Sequence, residues 1–135
     1  MPATLVDSNV ILDIATDDPA WGQWSADALE QSAEASRLVI NPLIYAEVSI
    51  RYGTIEELDE VLPADVFDRE ALPFEAAFLA GKAFLGYRRR GGRKQSPLPD
   101  FYIGAHAVIA GYRLLTRDAK RYRSYFPALD LIAPE

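Results

Sequence analysis

Cysteine is absent from the 135 residues, histidine occurs once, and no apolar run approaches the roughly eighteen residues that span a bilayer. The first absence removes disulfides, thiolate metal sites and cysteine nucleophiles together. The second leaves little for imidazole chemistry. His106 lies among Ala105, Ala107 and Val108, where it reads as a packed structural residue, and no Gly-x-Ser-x-Gly elbow exists to complete a Ser-His-Asp triad. The opening Met-Pro-Ala-Thr-Leu-Val-Asp has neither a basic n-region nor a long apolar stretch, so no secretory signal is expected and a cytoplasmic location is the default. Repeats, low-complexity tracts and linkers are lacking too, which predicts a single domain over residues 1–135.

What is present is an ordinary globular mixture, 50% hydrophobic and 25% charged, in a chain long enough to bury a core unaided. Leu5-Val6 reads as a short buried strand, with Ile11, Leu12 and Ile14 running into a turn. Asp17-Asp18-Pro19 announces a helix over 20–35 that turns Trp21, Trp24, Ala28 and Leu29 to one face. Leu38-Val39-Ile40 is a second strand. Asn41-Pro42 caps and starts a helix to about Tyr52, stopped by Gly53, and Thr54-Ile55-Glu56-Glu57 is a capping box for the next. A short strand near Val66-Phe67 precedes a helix from Pro73 with Phe74, Phe78, Leu79, Phe84 and Leu85 at helical spacing. After a basic, glycine-broken loop closed by Pro97 and Pro99 come a helix over 100–112, a strand at 114–116, a helical turn over 118–123 and a strand at 131–132. Strands alternating with helices imply an α/β fold, a mostly parallel sheet with helices on both faces.

Four carboxylates stand where apolar runs give way to turns or helix starts. Asp7 ends the first strand, Glu47 lies one turn into the helix after the second, Asp100 opens its helix, and Asp118 follows Leu115-Thr116-Arg117. Each has a plain structural reading. Asp7-Ser8-Asn9 suits any turn or cap, Glu47 could face solvent, Asp100 suits a helix dipole, and Asp118 could be an N-cap. In a parallel sheet, however, such junctions converge at the carboxyl edge of the strands, where ligands bind. Four acids in one cleft repel unless cations lie between them, and oxygen ligands without His or Cys suit Mg²⁺ or Mn²⁺. A site of that kind supports phosphodiester hydrolysis by metal-activated water. Asn9 and Thr116 are candidates to orient the ligands, whereas Asp13 is expected to cap a turn or face solvent.

The formal net charge of −6 argues against a nucleic-acid partner, yet nine of the fourteen basic residues fall in two stretches. These are Arg88, Arg89, Arg90, Arg93 and Lys94, then Arg117, Lys120, Arg121 and Arg123. Distribution steers a polyanion more than the sum does. The loop from Tyr87 to Ser96, which leads straight into Asp100, and the Arg117 to Arg123 stretch are the candidate phosphate-binding segments, although for the loop a solvated run of charge closing a helix has the same composition.

Taken together, Val6-Asp7-Ser8-Asn9-Val10-Ile11-Leu12-Asp13, Asn41-Pro42-Leu43-Ile44-Tyr45-Ala46-Glu47, Leu98-Pro99-Asp100-Phe101-Tyr102-Ile103-Gly104-Ala105-His106-Ala107 and Leu114-Leu115-Thr116-Arg117-Asp118 occur in order. In this the chain resembles the PIN domain and, within it, the VapC-type toxins of toxin–antitoxin pairs. The resemblance implies a three-layer α/β/α fold and a Mg²⁺- or Mn²⁺-dependent endoribonuclease. It matches Asp7, Glu47, Asp100 and Asp118 to the family's acidic quartet, with Asp7 and Asp100 most directly tied to metal. It also implies a homodimer, and a small antitoxin that blocks the cleft, often with an arginine.

Two other readings remain open at this level. A haloacid-dehalogenase-like phosphatase also has an aspartate after its first strand, but opens Asp-x-Asp, whereas this chain reads Asp7-Ser8-Asn9. A non-catalytic RNA- or protein-binding module would use the acids merely as helix caps.

Overall fold

The computed structural model describes residues 2–94 and 98–134. Ser96 and Pro97, expected in the basic loop, lie outside the described residues. Five short strands, β1 (Thr4–Val6), β2 (Leu38–Ile40), β3 (Phe67–Arg69), β4 (Arg113–Leu115) and β5 (Leu131–Ile132), form one parallel sheet in the order β3-β2-β1-β4-β5. Leu5 is in register with Val39 on one side and Leu114 on the other. Both strands of the β1–β4 pair are buried on each face apart from Arg113, which explains runs of Leu and Val rather than an alternating pattern.

The helices are α1 (Ser8–Ala15), α2 (Gly22–Ala35), α3 (Pro42–Ser49), α4 (Ile55–Val61), α5 (Phe74–Arg89), α6 (Pro99–Ala110) and α7 (Ala119–Tyr125). They flank the sheet in the expected α/β/α arrangement. Asn41 caps α3 by accepting from the Ile44 amide at 3.0 Å, and Thr54 caps α4 by accepting from Glu57 at 3.2 Å, as the sequence predicts. Chain order runs outward from β1 through β2 to β3, then restarts on the other side with β4 and β5. The strand order therefore reverses between β1 and β4, and the crevice above their carboxyl ends is the place such a sheet offers a ligand.

Four expectations are corrected. Residues after Asp7 form the helix α1 rather than a turn: Asp7 is its N-cap, accepting from the Ser8 amide at 2.8 Å, and Val10 and Ile11 are buried in the core. On α2, Ala28, Trp24 and Leu29 pack on the core as expected, but Trp21 stays at the rim and the most buried positions are Gly22, Ser25, Ala28 and Ser32, because small residues let α2 lie against α1. On α5, Ala76 and Ala80 are buried while Phe74 and Phe78 are exposed, the same preference for small residues where α5 meets α6. The helix after Asn41 also ends early, at Ser49, where the Arg51 and Tyr52 amides close tight turns onto Val48 and Ser49 before Gly53 is reached.

Candidate active site

The carboxyl end of β1 presents Asp7 and that of β4 presents Thr116, the two strands being joined there by the Asp7 amide donating to Leu115 at 2.9 Å. Asp7 is 3% exposed. Its Oδ2 accepts from Thr116 Oγ1 at 2.9 Å, Tyr122 Oη at 3.0 Å and Asn9 Nδ2 at 3.4 Å. Thr116 Oγ1 in turn accepts from Asn9 Nδ2 at 3.2 Å and from the Asp118 amide at 3.1 Å, and Asn9 Oδ1 accepts from the Arg117 amide at 3.2 Å. Asn9 and Thr116 therefore stand against Asp7 and tie the end of β4 to it.

Burial pushes the Asp7 carboxyl up to about 6, from an ordinary 3.8. Donation from Thr116 and Tyr122 pulls the other way, but the charges of Asp100 and Glu47 add to the upward push. Desolvation thus outweighs a full set of donors. Tyr122 is itself buried, and burial next to Asp7 and Asp100 holds its phenol well above the usual range. It stays protonated and donates.

Asp100, in the first turn of α6, lies beside the same phenol, with Tyr122 Oη 3.3 Å from its Oδ1, and Arg121 Nη1 donates to its Oδ2. Arg121 Nη2 reaches Asp118 Oδ2 at 3.0 Å. Asp118 occupies the N-cap position of α7 without capping it, its carboxylate having gone to Arg121. Glu47 is half-buried and not on the free solvent face. Its Oε1 accepts from Ser8 Oγ at 3.0 Å, and burial together with the Asp100 charge raises its carboxyl despite Ser8 and Arg121. A chain of contacts therefore runs Glu47–Ser8–Asp7–Tyr122–Asp100–Arg121–Asp118, and the four acids share one neighbourhood.

Among the described residues, no three acids are already closed around a single point as an ion cage. The phenol and the guanidinium stand between them instead. The donor set nevertheless fits a hard divalent cation: all candidate ligands are carboxylate oxygens, one is fully buried, and Asp7 and Glu47 are electrostatically coupled to Asp100. Asp7 and Asp100, with Glu47 and Asp118 around them, are the residues that would hold it.

Elsewhere the sequence reading is sharpened or corrected. Asp13 neither caps nor faces solvent; it is buried, accepting from Arg117 Nε at 2.8 Å, Arg117 Nη2 at 3.0 Å and Ser25 Oγ at 2.9 Å. Arg117 is therefore committed to a structural pair, with its guanidinium over Trp21, and is not a free phosphate ligand. His106 is buried away from the four acids, its Nδ1 3.0 Å from Asn41 Nδ2, and burial lowers its pKa. Arg88, Arg89, Arg90, Arg93 and Lys94 are exposed, and among the described residues none is paired with a carboxylate. The root of this loop is fixed by Tyr87, which packs on Phe84, Phe101 and Tyr125, so closely against Gly92 that a Cβ there would meet the ring at 2.2 Å.

Sequence reasoning missed Ser8 and Tyr122 and placed Arg121 among the phosphate contacts. The Asp118-to-Arg121 spacing of three was a usable signal for the ion pair. Nothing local marks Tyr122, since its partners are 115 and 22 residues away.

A family model described as the PIN domain matches residues 4–126. No curated protein matches the chain in sequence. Solved structures do match it in shape. VapBC2 from Rickettsia felis, bound to a DNA fragment from its promoter, is 17% identical with a TM-score of 0.75, covering 98% of this chain and 99% of that one. VapBC-1 from nontypeable Haemophilus influenzae is 16% identical with a TM-score of 0.74, covering 97% of each chain. A toxin–antitoxin complex from Klebsiella pneumoniae is 19% identical with a TM-score of 0.68, covering 98% of each.

Proposed function

The chain belongs to the PIN domain family, and from that membership and its acid cleft we propose that it is a Mg²⁺- or Mn²⁺-dependent endoribonuclease, the toxin of a toxin–antitoxin pair. The observation that carries this reading is the meeting of Asp7, Glu47, Asp100 and Asp118 above the β1–β4 crevice through Ser8, Tyr122 and Arg121. Family membership removes the dehalogenase-like phosphatase from consideration.

When bound, the divalent ion supplies an acidified water and a counter-charge for the leaving oxygen. The chain's own residues do the rest. Thr116, Tyr122 and the Ser8 amide keep the Asp7 carboxylate in one orientation. Glu47, steadied by Ser8 and with a raised pKa, is placed to take a proton from the attacking water at Oε1 or Oε2. Arg88, Arg89, Arg90, Arg93 and Lys94, unpaired with carboxylates among the described residues, grip backbone phosphates of RNA.

The partners belong to the same proposal. A small cognate antitoxin covers the cleft, and the toxin is a cytoplasmic homodimer. The resemblance to VapBC structures and the toxin–antitoxin complex supports the first point. Among the described residues no helix is long and apolar enough to cross a membrane.

The test is incubation of purified protein with total RNA, with Mg²⁺, Mn²⁺ or EDTA, followed by end mapping. The expected result is discrete fragments that need the ion and disappear with Asp7→Asn or Asp100→Asn. Cleavage indifferent to EDTA removes the metal dependence, and intact RNA in every lane removes the nuclease assignment. RNA binding that survives both substitutions without any cleavage makes the chain a binding module. Growth inhibition on expression, relieved by the neighbouring small reading frame, distinguishes a toxin from a housekeeping processing enzyme.

A further inference from the structure

Asp100 meets α7 on both of its oxygens, but only one of them is held by a charge. Arg121 Nη1 donates to Oδ2, Tyr122 Oη stands 3.3 Å from Oδ1, and the second arm of the same guanidinium reaches Asp118 Oδ2 at 3.0 Å. The Asp100 side chain is 14% exposed and that of Arg121 48%, so the cation enters from the solvent side and caps acids that lie deeper. Neighbouring Arg117 has no such freedom, being locked on buried Asp13 by two hydrogen bonds. Within the acid cluster, Arg121 is the cation in direct contact.

A guanidinium suits two carboxylates because its planar fork offers separate donors to each. It carries a single delocalised charge, however, and among the described residues its carboxylate partners are Asp100 and Asp118. Asp7 and Glu47 still feel the Asp100 charge. A compact dication would compensate more of the cluster, and a half-exposed arginine can rehydrate by turning outward.

We propose that Arg121 is an internal surrogate cation: it holds Asp100 and Asp118 while no divalent ion is bound, competes with that ion for the Asp100 oxygen, and turns outward when the ion takes it. The proposal rests on the divalent-ion reading given above. Its consequence is that the chain's apparent affinity for the ion is set by a difference, ion against arginine, and that the cleft stays assembled between turnovers instead of being forced apart by its own charge.

Calorimetric titration of Mn²⁺ into the full chain tests this with the native sequence, Arg121→Gln, Arg121→Lys and Lys120→Gln. The last removes an equal charge from the adjacent exposed position and so accounts for long-range attraction. Arg121→Gln is expected to bind Mn²⁺ about three- to tenfold more tightly than Lys120→Gln, as loss of a partly screened ion pair should allow. Arg121→Lys keeps the charge but loses the fork that reaches Asp100 and Asp118 together, so its Mn²⁺ affinity should fall between those of the native chain and Arg121→Gln. Without the ion, Arg121→Gln should melt below the native protein, and its rise in melting temperature with Mn²⁺ should be the larger of the two. Equal or weaker Mn²⁺ binding by Arg121→Gln relative to Lys120→Gln overturns the surrogate role. Failure of the native chain and Arg121→Gln alike to bind Mn²⁺ overturns the divalent-ion reading beneath it.

Discussion

Tyr122 donates its phenolic hydrogen to Asp7 Oδ2 at 3.0 Å, across 115 residues of chain. The same oxygen of Tyr122 is 3.3 Å from Asp100 Oδ1, so one buried hydroxyl of α7 stands between the end of β1 and the start of α6. A hydroxyl has one hydrogen, and the shorter distance gives it to Asp7.

Tyr122→Phe removes that donor and leaves a buried carboxylate short of one hydrogen bond. The expected cost is about 1.5–3 kcal/mol, in the range for hydrogen bonds to charged groups. The loss should be larger at pH 8, where Asp7 is ionised, than at pH 4.5, where it is largely protonated. Urea melts at the two pH values check this; equal losses would show that the bond to the carboxylate is not what Tyr122 contributes.

Asp7 links stability to pH in a definite direction. Its carboxyl lies near 6 in the folded chain against an ordinary 3.8, so folding takes up a proton between those values. The stabilisation is complete below about 3.8 and is lost as pH rises through 6, a swing on the order of 3 kcal/mol in ion-free buffer. Asp7→Asn should flatten that part of the curve relative to the native chain. The comparison of the two is the measurement, because paired acids such as Asp59 and Glu70, held below their usual range, act in the opposite sense.

The pair of Asp13 and Arg117 predicts an asymmetry among the arginines. Arg117→Ala strands a carboxylate that is 4% exposed with Ser25 as its remaining side-chain donor, and should cost about 3 kcal/mol. Arg89→Ala, at the exposed end of α5, should change stability by less than about 0.5 kcal/mol. Denaturant midpoints that fail to separate the two would contradict the buried pair.

At Gly104 the backbone of α6 lies directly against the Phe126 and Tyr122 rings. A Cβ at that position would lie 2.5 Å from Phe126 Cε2 and 3.2 Å from Tyr122 Cδ1. Gly104→Ala should therefore destabilise by about 1–3 kcal/mol, as overpacking does, and push the phenol off Asp7. Thermal melts should show the loss, and combining the change with Tyr122→Phe should cost less than the sum of the two separately.

Reversing Arg88, Arg89 and Arg90 to glutamate tests the phosphate role of the loop. These side chains are exposed and unpaired with any carboxylate among the described residues, so the melting temperature should move little. RNA affinity should fall at least about tenfold, and its dependence on salt should become shallower. Unchanged RNA binding by anisotropy would return the segment to a plain helix terminus.

Much of this molecule is legible locally. The apolar runs Leu38-Val39-Ile40 and Leu114-Leu115, the Asn41 and Thr54 caps and the prolines that open α3 and α6 mark their own elements, because strand burial and helix capping are settled within a few residues. Alternation of strand and helix then implies the parallel sheet. Asp7, Glu47, Asp100 and Asp118 could be singled out for the same reason, since position at a strand-to-helix junction is a local property. Helix α1 was misread because Asp7-Ser8-Asn9 is equally good chemistry for a turn and for a cap, and only packing against α2 and α3 decides between them.

The amino-acid order alone determined the α/β class, the junctions that carry the acids, and the exclusion of thiol and triad chemistry. Tertiary structure alone decided which groups answer those acids: Tyr122 for Asp7 and Asp100, Arg121 for Asp100 and Asp118, Arg117 for Asp13. The physical reason is that a charge in water needs no partner, whereas a charge in a crevice must find one, and the identity of that partner depends on which distant segments the crossovers bring to the same edge of the sheet.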